Sequence, residues 1–210
     1  MLNVLMMSSV LCLSEYDVTP YRLFLHCQSP EFQPDCLQTW NNALQEIAFI
    51  GSYFEAKQGK GYLIGDDFFN YLTFLGCSPQ LEVMPPESGQ WNNFCFVEWV
   101  QLEKPRLVQG MNRLKCSCTS CRKGLGHLLQ DGFTQHRLVS LSCPQCGNPL
   151  SLSGLNWQHT AGYGRFFICI HSVFPKEAVP SAEFMKALSG LSGQKSWQYF
   201  YVERDDCLNT

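Results

Sequence analysis

The chain has 210 residues, 45% of them apolar and 16% charged, with a formal net charge of −3. This is long enough to bury a core without covalent staples and too apolar for global disorder, and 12 cysteines fall below the density of a disulfide scaffold. No run approaches the roughly 18 apolar residues of a membrane span.

The opening stretch, Met1 to Leu13, is apolar but has no Lys or Arg and is interrupted by Ser8 and Ser9. A secretory signal would open on basic residues and close on small ones, so a cytoplasmic protein with reduced thiols is expected. Tyr21 to Cys27 reads as a strand closed by Gln28-Ser29-Pro30. After Pro34-Asp35, the residues Leu37, Trp40, Leu44 and Ile47 fall at helical spacing, with Gly51 as a stop. Gly59, Gly61 and Gly65 punctuate the next stretch. Asp66 or Asp67 then caps a second helix with Phe68, Leu72 and Leu75 on one face, ended by Gly76 and Pro79. Asn93 to Val100 reads as a strand, as does Arg165 to Val173, whose five consecutive apolar residues suit burial on both faces. Pro180-Ser181 starts a helix through Phe184, Leu188 and Leu191 to Gly193, and Trp197 to Glu203 is a final strand. A helix followed by a strand carrying aromatic-x-aromatic-Val-Glu occurs twice, at 68–98 (Phe94-Cys95-Phe96-Val97-Glu98) and 184–203 (Tyr199-Phe200-Tyr201-Val202-Glu203). The expected fold is α+β. About four strands carry helices on one face. Residues 1–103 and 151–210 form the body, and 104–150 form an inserted unit.

Charge marks that insert. Lys104 to Arg137 holds seven basic residues and one acid, a local +6, whereas the remainder of the chain sums to −9. Within it stand Cys118-Thr-Ser-Cys121 and Cys143-Pro-Gln-Cys146, with 21 residues between them. A C-x-x-C turn sets two thiolates on one side of a tetrahedral ion and a second turn supplies the other two, which is the ligand set of structural Zn²⁺. Cys116 is an alternative ligand to Cys118; the matched spacing of the two turns favours Cys118 and Cys121. Two such pairs in loop-rich sequence do not suit a thioredoxin-type redox motif. These residues, with the run Cys-Pro-Gln-Cys-Gly-Asn-Pro-Leu, resemble the zinc-ribbon fold group over about residues 114–150. The resemblance implies one zinc and a small β-hairpin unit, and no particular activity.

Other candidates carry less. Gly59-Lys-Gly61-Tyr-Leu-Ile-Gly65 has the glycine density of a phosphate loop, but Asp66 and Asp67 at the next helix start oppose a phosphate. Cys77 lies just past a helix C-terminus, where the dipole works against a thiolate. His26 and His171 fall on apolar strands, the usual place of a satisfied core histidine. The polar, aromatic run from Asn156 to Arg165 is the best sequence candidate for a pocket rim. Lys115, Arg122 and Lys123 could track phosphates or offset the charge of a zinc-thiolate centre. Phe133 is the only aromatic between Lys104 and His136, which weighs against nucleic acid.

Two functions are therefore carried forward. The first is a non-catalytic, zinc-stabilised adapter whose basic unit docks a protein or, as a second choice, a nucleic acid. The second is an enzyme with a site near Cys77, His159, Arg165 and His171. Neither involves a membrane, and both are compatible with a homo-oligomer.

Overall fold

The computed structural model describes residues 19–57, 59–75, 81–87, 91, 93–110, 114–126, 142–193 and 195–203. The expectations at Met1 to Leu13, Gly76, Cys77, Pro79, Arg113, Asp131, Phe133 and Arg137 fall outside them.

The fold is α+β. Its main sheet is built from β1 (Tyr21–Cys27), β2 (Ile50–Ala56), β3 (Gly59–Ile64), β5 (Phe96–Gln109), β8 (Ala161–His171) and β10 (Trp197–Glu203). These six strands are antiparallel in the order β10-β1-β8-β5-β3-β2, and α-helices pack on one face. The expected four strands become six because β2 and β3 form a hairpin in the segment read as glycine punctuation. Gly61 lies in β3 because no side chain fits there: a Cβ would stand 2.5 Å from the Val97 carbonyl oxygen on β5. Its lack of a side chain permits the close approach of β5.

β1 and β8 are central and buried along nearly their whole length, as continuous apolar runs require. Period two sorts their side chains. Leu23, Leu25, Phe166, Ile168 and Ile170 face the helices. Phe24, Phe167 and Cys169 face the other side, with Phe200 and Val202. Helix α1 (Leu37–Glu46) places Trp40 and Leu44 in the first layer, and its buried Asn41 is satisfied by accepting from Trp99 Nε1 at 2.8 Å. Helix α3 (Ala182–Leu191) buries Phe184 and Leu188 and starts as the sequence predicts, with the Ser181 hydroxyl accepting from the Phe184 N–H. Gly193 follows it at φ 71°, a left-handed exit suited to glycine.

The second helix is shorter than its periodicity predicts. α2 covers only Phe68–Tyr71, and Leu72–Phe74 leaves it as β4, paired with β9 (Ala178–Pro180). A single helical turn has little stability of its own. Pairing with β9, and the Leu75 N–H donating to the Glu177 carbonyl at 2.6 Å, win instead. Leu75, expected on the buried helical face, is exposed.

β5 is also longer than expected. Its Val97–Gln101 half pairs with residues 166–170 of β8, the register breaks, and Arg106–Gln109 pairs with residues 161–164. Lys104 and Pro105 sit in that irregularity, where a residue lacking an N–H is tolerated. The strand thus runs through the position where the basic segment begins. Among the described residues no helix is long and apolar enough to cross a membrane.

Candidate metal centre

Two turns of the same geometry build the centre. In the first, β6 (Ser117–Cys118) leads into Thr119-Ser120-Cys121; the Arg122 N–H donates to the Cys118 carbonyl at 2.9 Å and the Cys118 N–H to the Lys123 carbonyl at 3.0 Å. In the second, the Gly147 N–H donates to the Cys143 carbonyl and the Cys143 N–H to the Asn148 carbonyl, each at 2.8 Å. Arg122 and Gly147 occupy matching positions and are both left-handed, at φ 61° and 73°. The repeated backbone hydrogen bonds aim two thiols from each turn inward. Asn148 Nδ2 donates to Ser120 Oγ at 2.6 Å and ties one turn to the other.

The four sulfurs of Cys118, Cys121, Cys143 and Cys146 lie within 4.8 Å of one another. Cys118 Sγ is 3.8 Å from Cys146 Sγ, and Cys121 Sγ is 3.6 Å from Cys143 Sγ. These separations are far longer than a disulfide bond of about 2.0 Å. A tetrahedron with Zn–S of about 2.3 Å has an edge of about 3.8 Å. The donor set and its spacing therefore fit a thiophilic tetrahedral ion. Cys116 stands outside the group; it is buried, and desolvation pushes its thiol up to about 11.

Backbone amides favour the ionised sulfur within each turn. The Cys121 N–H, with a smaller contribution from Ser120, holds the Cys118 thiol down to about 6. The Cys146 and Gln145 amides lower Cys143 in the same way. Cys146 is pulled down by the Asn148 amide, yet desolvation and proton sharing with the other three sulfurs carry it up to about 12. Four thiolates this close repel, and a divalent cation removes that repulsion.

A small apolar cluster surrounds the centre. Cys116, Cys118, Cys143, Leu125, Leu150, Leu152 and Leu155 pack with Trp157, whose Nε1 donates to the Leu152 carbonyl at 3.0 Å. Leu107 of β5 and Ala161 of β8 belong to the same cluster, so the two turns are anchored to the ends of two sheet strands. β7 (Leu155–Asn156) pairs with β6 and closes the unit.

The other candidates separate. His159 ends on the edge strand β10: its Nδ1 is 2.9 Å from the Tyr199 carbonyl, and its ring stacks on Tyr199 at 4.3 Å. Arg165 makes a long ion pair with Glu31 at 3.8 Å. His171 lies at the far end of β8 from His159, about 30 Å along an extended strand. Cys77 is outside the described residues. The Asn156–Arg165 run is accounted for by a tight turn in which Gln158 and His159 both take positive φ and the Thr160 N–H donates to the Trp157 carbonyl. A water-sized cavity of about 10 Å³, lined by Trp157 and Tyr163 among others, lies beside it. A larger open cleft, about 610 Å³, lies at the start of α1 between Glu31, Phe32, Cys36, Trp40 and Lys195. It is assembled from segments distant in the chain and leaves no local signature. Cys36 is exposed there, and the Thr39 amide and hydroxyl lower its thiol.

No protein-family model, curated protein or solved structure matches this chain. The class that fold and site define is an α+β protein with a four-cysteine group able to hold a metal ion.

Proposed function

We propose that this protein is a zinc-stabilised interaction module. One structural Zn²⁺ is held by Cys118, Cys121, Cys143 and Cys146, and the basic unit that carries it docks a protein partner. The observation behind this reading is the sulfur spacing of 3.6 and 3.8 Å, the edge length a four-thiolate zinc site needs. All four positions are taken by protein ligands, so no open position is left for a substrate, which is the pattern of a structural and not a catalytic zinc.

Such a centre carries a formal charge of −2. Lys115, Arg122 and Lys123 are exposed around it and offset that charge while keeping N–H donors directed to solvent. Lys104 and Arg106 extend the basic surface along β5. Acidic groups on a protein match this surface. A nucleic acid matches it less well, because Phe133 is the only aromatic between Lys104 and His136, Trp157 beside the four cysteines is buried, and the rest of the chain is acidic.

Zinc analysis of the native chain and of Cys143→Ser tests the metal. The variant should hold about one equivalent fewer, and equal contents overturn the proposal. A salt titration with single- and double-stranded nucleic acid tests the partner: tight binding that weakens steeply with salt would replace the protein partner with a phosphate backbone.

A further inference from the structure

On the sheet face away from the helices, a second set of metal-binding atoms converges. Glu98 of β5 and Cys169 of β8 are direct cross-strand partners, and His171 follows Cys169 by two residues on the same face. A carboxylate oxygen, a thiol sulfur and an imidazole nitrogen lie within 4.8 Å of one another. Cys169 and His171 are fully buried, whereas the Glu98 side chain keeps 24% of its surface and opens the group to solvent.

The imidazole is held as metal-ligating histidines are held. Thr19 Oγ1 lies 3.0 Å from His171 Nδ1, and the Tyr21 carbonyl stands 3.5 Å from the same hydroxyl as an acceptor for its hydrogen. With Nδ1–H donating to the Thr19 hydroxyl, the tautomer of a metal-ligating histidine, the lone pair of Nε2 is turned toward Glu98 Oε2, 3.0 Å away. In the other tautomer Nε2–H donates to Glu98 and the Thr19 hydroxyl to Nδ1; in this one a proton or a metal ion belongs between Nε2 and the carboxylate. The ring of Phe96 lies flat on the imidazole at 3.9 Å and 10°, fixing its plane. Cys169 adds a soft sulfur donor at the same point, a set that suits a borderline metal ion.

We propose that Glu98, Cys169 and His171 form a second site, for a divalent cation of the Zn²⁺ type, independent of the four-cysteine centre. Thiolate and carboxylate balance its charge, and three protein ligands leave the fourth vertex, on the side of Glu98, for water or another donor. Thr19 is a positioning residue: it orients the imidazole and binds no metal.

The test is metal stoichiometry on the full chain, loaded with Zn²⁺ or Co²⁺ and freed of excess ion by gel filtration. The native chain should retain about two equivalents, and Cys169→Ala and Glu98→Gln about one each. The remaining four-sulfur Co²⁺ spectrum reports that the variants are folded. In the Cys143→Ser/Cys146→Ser chain, Co²⁺ should still give a weaker thiolate charge-transfer band, lost when Cys169→Ala is added. A native chain with one equivalent, lost in Cys143→Ser/Cys146→Ser and kept in Cys169→Ala and Glu98→Gln, overturns this site and leaves the first intact. One equivalent with the reverse pattern overturns the four-cysteine proposal and supports this one.

Discussion

The ring of Phe200 on β10 fills the space that a side chain at Gly162 would need. A Cβ at Gly162 would overlap the Phe200 ring and stand 2.9 Å from His26 Cδ2. Phe200 cannot yield, since it is fully buried, stacked on Phe24 at 5.2 Å and in edge contact with Phe167. Gly162→Ala should therefore destabilise the fold by about 1–3 kcal/mol, the usual cost of overpacking a rigid core. A urea midpoint equal to that of the native chain would show that the layer repacks freely.

His26, beneath the same glycine, should make the protein acid-sensitive. Burial between Phe167 and Phe200 lowers it to about 4, from 6.5. Below pH 6.5 the unfolded chain takes a proton that the folded chain refuses, so stability present above 6.5 is lost as pH falls toward 4. The full effect is about 3 kcal/mol. Denaturation of native and His26→Gln chains between pH 7 and 4 should show a steeper loss in the native chain; parallel curves would assign the acid sensitivity elsewhere.

Arg122 adopts at φ 61° the backbone conformation that Gly147 adopts at 73° in the second turn. A non-glycine residue is strained there, so Arg122→Gly should stabilise the unit by about 1 kcal/mol while removing one cation from its surface. Competition with a chromophoric chelator measures the consequence: zinc should be held at least as tightly. Weaker retention would mean that the Arg122 charge matters more to the centre than its backbone.

Chelation should loosen the small cluster and spare the sheet. Trp157 packs with Cys118 and Cys143, so removing the ion should red-shift its emission, and the shift should be absent in Trp157→Phe. The core built on Leu23, Leu25, Ile168 and Ile170 contains none of the four sulfurs, and far-ultraviolet circular dichroism should keep its β signal. Loss of that signal on chelation would show that metal and sheet fold as one unit.

The strands at 21–27 and 197–203 and the helix starting after Ser181 are legible in the sequence because their determinants are local: a continuous apolar run, or a capping hydroxyl ahead of a periodic face. Residues 72–74 mislead for the complementary reason. Phe68, Leu72 and Leu75 repeat at helical spacing, but the partner strand at 178–180 lies about a hundred residues away and enters no window of sequence. β2 and β3 escape detection because glycine is the same letter whether it turns a chain or, as Gly61 does, lets one strand lie against the Val97 carbonyl.

The four cysteines show the division most clearly. A C-x-x-C turn dictates its own geometry, so residue type and spacing alone nominate Cys118, Cys121, Cys143 and Cys146. Only the folded chain sets Cys116 apart: it lies outside the four-sulfur group, buried in the apolar cluster around it. Glu98 and His171 are 73 residues apart and carry no motif. Their meeting depends on the pairing of two strands, a long-range event that local chemistry cannot specify.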